Sequence, residues 1–141
     1  MRFMIIVKAT RDSEAGTMPE DALIAEMGKY HEELAAAGML LDASGLQPTS
    51  KGWRICYTGD KRAYVDGPFT ESKELIAGYT LIQAKSREEA MEWTKRFPNP
   101  APLCRESEIE VRQLFELDDF EPSAAIDRMK ERSMPSQQPS V

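Results

Sequence analysis

The chain opens with a run that is apolar on both alternating faces, Arg2-Phe3-Met4-Ile5-Ile6-Val7-Lys8, which is the pattern of a central strand. Thr10 to Gly16 reads as a polar loop. Thr17-Met18-Pro19-Glu20 combines capping-box spacing with a proline suited to a first helical turn. Leu23, Met27, Tyr30 and Leu34 then recur at helical spacing as one apolar stripe, and Gly38 supplies the stop. Met39 begins a second strand that runs toward Leu46 and ends at Pro48. Trp53, Ile55 and Tyr57 alternate with Arg54, Cys56 and Thr58, a strand with two unlike faces. A turn at Thr58-Gly59-Asp60-Lys61 and a return arm from Arg62 to Val65 complete a hairpin, which Gly67-Pro68 breaks.

Tyr79 to Ala84 forms a further strand. Ser86 and Glu89 mark a second capping box, ahead of a helix faced by Ala90, Trp93, Thr94 and Phe97. The prolines between Phe97 and Pro102 demand a loop. Glu108 to Phe115 closes the domain as a strand. With the hairpin set aside, the order is βαββαβ, the ferredoxin-like α+β arrangement with both helices on one face of an antiparallel sheet. Its uncovered face is apolar enough to call for a homodimer through that face. Residues 1–120 make the domain, and 121–141 a tail with one or two helical turns before a polar, disordered end.

Composition narrows the function classes. With 141 residues, 41% hydrophobic and 30% charged, the chain builds one ordinary core. A net charge of −6 leaves no basic footprint for nucleic acid or anionic lipid. The run Phe3 to Val7 falls far short of the roughly 20 apolar residues of a membrane span, and no secretory signal is visible. Cys56 and Cys104 have no metal-type spacing and read as reduced thiols of a cytoplasmic protein. One histidine with scattered carboxylates gives no metal site, and the separate turn glycines give no phosphate loop. No cofactor is expected.

The stretch Val65-Asp66-Gly67-Pro68-Phe69-Thr70-Glu71-Ser72-Lys73-Glu74, with Ile76-Ala77-Gly78-Tyr79, resembles the Asp-Gly-Pro-Phe (DGPF) group of the YCII-related proteins. Gly45-Leu46-Gln47-Pro48, Ser50-Lys51-Gly52 and Glu108-Ile109-Glu110-Val111-Arg112 fit the same group, so the resemblance covers about residues 1 to 120. It implies a dimeric α+β barrel. The wider family includes a lyase-type dehalogenating enzyme and is described with a His-Asp pair in a cleft. Its helix histidine aligns nearer Met27 than His31 here, one turn away.

Candidate chemistry gathers around this motif. Asp66-Gly67-Pro68 reads first as a turn, with the Asp66 carboxylate capping nearby amides and Phe69 plugging the core. Its functional reading makes Asp66 an acid, base or ligand anchor at a cleft mouth. His31 carries any imidazole chemistry at neutral pH and lies about 70° from the centre of the helix stripe, a boundary position. A His31–Asp66 pair would join a base to its orienting group. Arg54, Phe69, Lys73, Glu74 and Tyr79 are the ligand-binding candidates, with ordinary solvated ion pairs and strand packing as the plainer alternatives. Three functions follow. One is a cofactor-free enzyme doing acid–base chemistry, elimination or isomerisation, near the DGPF turn. The others are a non-catalytic dimeric ligand-binding or regulatory module and a stable dimeric scaffold.

Overall fold

A computed structural model describes residues 1–70, 74–101 and 105–133. Lys73, Cys104 and the polar end after residue 133 lie outside the described residues. The fold is mixed α+β with two antiparallel sheets. Strands β1 (Arg2–Lys8), β2 (Leu40–Gly45), β5 (Ile76–Gln83) and β6 (Ile109–Gln113) form a four-stranded sheet in the order β2-β5-β1-β6. Among the described residues, strands β3 (Trp53–Thr58) and β4 (Lys61–Asp66) pair only with each other, as the predicted hairpin, with Gly59 at φ +60° in its turn.

Helices α2 (Asp21–Ala36) and α3 (Arg87–Thr94) pack on one face of the larger sheet. Period-2 geometry places Phe3 and Ile5 of β1 beside Ile82 and Thr80 of β5 on that face. Ile5, Leu34 and Ile82 are completely buried there, with Tyr30 and Ala90 completing the core. Tyr30 donates its hydroxyl to the Trp93 carbonyl at 2.8 Å and sets its ring edge-on to Phe97, which ties the two helices together. Burial pushes the Tyr30 phenol up to about 12. The opposite face carries Met4, Ile6, Leu81 and Tyr79, all only half-buried.

Several local expectations need correction. Residues 11–14 form a short helix, α1 (Arg11–Glu14), rather than loop, because Thr10 and Ser13 cap each other reciprocally. Helix α2 begins at Asp21, after Glu20 at the cap position, so the Thr17 capping box is not used. At α3, Ser86 does accept from the Glu89 amide, but the Glu89 carboxylate turns to the Lys85 amide instead of the cap residue. Trp53, on the alternating strand, is 61% exposed. The tail helix, α4 (Ala124–Ser133), is ten residues long, more than the one or two turns expected. Gly38 stops α2 at φ +72°, as its position implies.

Candidate functional site

The base of the hairpin is tied to the domain by a network that converges on Thr49, in a short 3-10 helix at Thr49–Lys51. The Thr49 hydroxyl donates to the Glu14 carboxylate at 2.5 Å and accepts from the Phe69 amide at 3.1 Å. The Thr49 amide donates to the other Glu14 oxygen. Beside it, the Gly67 amide donates to the Gly52 carbonyl at 3.0 Å. A Cβ on Gly67 would lie 1.8 Å from the Thr49 carbonyl oxygen, so this crossing admits only glycine. The Gly67–Pro68 peptide is cis.

This crossing forms one wall of a cleft of about 570 Å³. Leu46, Pro48, Leu75 and Ile76 give the cleft an apolar lining from the ends of β2 and β5. Trp53, Arg54 and Phe69 supply aromatic and cationic surface from the hairpin root, and Lys51 and Glu74 add one charge of each sign. The Arg54 guanidinium lies over the Phe69 ring, 3.7 Å from its centroid, a cation–π arrangement that turns the ring face toward charge. Phe69 is therefore half-exposed in the cleft wall, not a plug of the core.

The candidates read from the sequence divide between three places. Arg54, Phe69 and Glu74 meet in the cleft. Asp66 stands outside it and accepts the Tyr64 hydroxyl at 2.5 Å, so its carboxylate caps a side chain rather than backbone amides. That hydrogen bond holds the Tyr64 phenol above its ordinary pKa. Tyr79 reaches across the uncovered sheet face to Asp42, with its hydroxyl 2.9 Å from the carboxylate. His31 points into the helix–sheet layer, where Nε2 lies 2.9 Å from the hydroxyl of buried Thr80. Burial holds its imidazole below the usual histidine pKa. His31 and Asp66 thus have separate hydrogen-bonding partners.

Sequence reasoning missed Glu14 and Thr49, which hold the DGPF segment, and the apolar cleft lining. The Thr10-x-x-Ser13 spacing signals the short helix that carries Glu14. No local pattern marks the long-range bond to Thr49. Among the described residues no group of three or more His, Cys, Asp or Glu side chains is placed to hold a metal. Nor, among those residues, is any helix long and apolar enough to cross a membrane.

An uncharacterized protein of Rhizobium meliloti (strain 1021) is 24% identical over 96 residues, spanning 68% of this chain and 77% of that one. The solved structure of 5-chloro-2-hydroxyhydroquinone dehydrochlorinase from Burkholderia phenoliruptrix AC1100, in complex with 2,5-dihydroxybenzoquinone, is 16% identical. It aligns over 82% of this chain and 94% of its own, with a TM-score of 0.40. The model of the YCII-related domain matches residues 1–118, and the chain belongs to that family.

Proposed function

We propose that this chain is a cytoplasmic homodimer that binds a small molecule in the cleft at the hairpin root. The cleft itself carries the reading. Its volume of about 570 Å³ falls within the roughly 300–1,000 Å³ of small-ligand sites. Its apolar lining, with an arginine stacked on phenylalanine and a lysine beside them, suits a planar molecule bearing a negative group. The DGPF segment serves the site as architecture: Gly67 permits the crossing, and Phe69 presents the ring that Arg54 covers.

The ferredoxin-like arrangement and a dimeric α+β barrel belong to the same proposal. The element order with the hairpin set aside, and the sheet order β2-β5-β1-β6, support the first. Half-buried Met4, Ile6 and Leu81 on the helix-free face support the second, since a partner sheet would cover them.

One observation favours a catalytic second reading. Glu74 is the only carboxylate among the described cleft-lining residues. An elimination or isomerisation in this cleft would use it as the base, in place of Asp66 or His31.

A thermal-shift panel of aromatic carboxylates and their uncharged analogues tests the site. A ligand that raises the melting temperature of wild type and Asp66→Ala, but not of Arg54→Gln, places binding in the cleft. A shift lost in Asp66→Ala or His31→Gln and kept in Arg54→Gln moves the site elsewhere and sinks this assignment. Turnover of a bound compound that Glu74→Gln abolishes, with binding kept, establishes the second reading.

A further inference from the structure

Helix α1 is four residues long and buries none of its own side chains, so it adds little to the core. Reciprocal bonds between Thr10 and Ser13 nonetheless fix it, and its last residue, Glu14, is half-buried. The Glu14 carboxylate takes both polar hydrogens of Thr49. The Thr49 amide donates to one oxygen at 3.2 Å and the hydroxyl to the other at 2.5 Å. A hydroxyl has a single hydrogen, so the bond to Glu14 decides where that hydrogen points. The Thr49 lone pairs are left for the Phe69 amide, which donates to them at 3.1 Å.

The path continues to the ligand surface. Gly67 is fixed by its own bond to the Gly52 carbonyl, and Thr49 supplies the next anchor along the segment, at Phe69. The Phe69 ring in turn carries the Arg54 guanidinium 3.7 Å from its centroid. Thr49, Phe69 and Arg54 line the cleft, whereas Glu14 stands outside that lining. A group that orders the Phe69 backbone orders the ring and the cation above it.

We infer that Glu14 is a positioning residue of the ligand site. Through the Thr49 hydroxyl it holds Phe69, and with it Arg54, in the arrangement that prefers an anionic ligand. This inference rests on the cleft reading proposed above and adds a selectivity determinant from outside the lining. Charge alone predicts the opposite effect. An anion beside a site for anions opposes their binding, so removing Glu14 would raise affinity if its field were all that mattered.

The test measures 2-naphthoate and its uncharged partner 2-naphthamide by isothermal titration on the full-length chain, and reads the ratio of their dissociation constants. Wild type should prefer the carboxylate, and Arg54→Gln should lose that preference. Glu14→Ala should lower it about two- to five-fold, the size of a lost cation–π contact at a partly exposed site. Glu14→Gln makes the same change of charge but still reaches Thr49, and should keep the preference. Thr49→Val should match Glu14→Ala, and the double variant should lose no more than either alone, because both act on one path. A general loosening of the fold would weaken both compounds alike and leave the ratio where it was. If Arg54→Gln loses the preference while Glu14→Ala keeps or raises it, the inference is overturned and the cleft reading stands. Should Glu14→Ala not fold, Thr49→Val against Thr49→Ser, which keeps the hydroxyl, decides the same question. A wild type that binds neither compound, or binds both alike, overturns the cleft reading and this inference together.

Discussion

The four-stranded sheet with its helices and the β3–β4 arm are both antiparallel, yet they are held together differently. In the body, Ile5, Leu34 and Ile82 are sealed between sheet and helices. In the arm, cross-strand bonds and stacked rings act with no second layer. The comparison teaches where stability and function separate. Burial stabilises the body, while the arm leaves aromatic and charged surface exposed.

Substitutions in the two regions should therefore behave unlike each other. Leu34→Ala leaves a cavity in the body and should lower unfolding free energy by about 2–5 kcal/mol in urea titration. A loss below about 1 kcal/mol would mean the core is not sealed as described. At the junction, Gly67→Ala forces a methyl against the Thr49 carbonyl and should destabilise by about 1–3 kcal/mol. It should also abolish cleft binding, which isothermal titration with a ligand found on wild type would detect. Thr49→Val removes the hydroxyl between Glu14 and Phe69 and should lower stability by about 1–2 kcal/mol in the same titration. Tyr57→Ser in the arm should change stability by no more than about 0.5 kcal/mol.

The smallest expected effect is a pH dependence in the body. Burial lowers the folded pKa of His31 below the ordinary histidine value of about 6.5, so the unfolded chain binds its proton more readily. The stability it permits is full above that value and declines as pH falls below it toward the folded pKa. His31→Gln should flatten this slope in melting curves taken between about pH 7 and pH 5.5. An unchanged slope would assign the dependence to other groups.

What could be read from the sequence follows the same division. Residues governed by a local period were legible: Tyr30 and Leu34 of the helix stripe are buried in the core, with Leu23 and Met27 half-buried, and Gly59 turns the hairpin. Three of the residues that line the cleft, Arg54, Phe69 and Glu74, were candidates in the sequence. The rest depends on contacts between distant segments. Thr49 and Glu14 are 35 positions apart, and His31 finds Thr80 across 49, distances over which neither period nor motif carries information. Phe69 illustrates the ambiguity. A lone aromatic after a turn fits a core plug or a cleft wall equally well until Arg54 is placed over it.

Hydrogen exchange tests the contrast between body and arm most directly. Amides of β1 and β5 should be strongly protected, while those of β3 and β4 exchange quickly. Arm amides as protected as those of β1 would contradict the account.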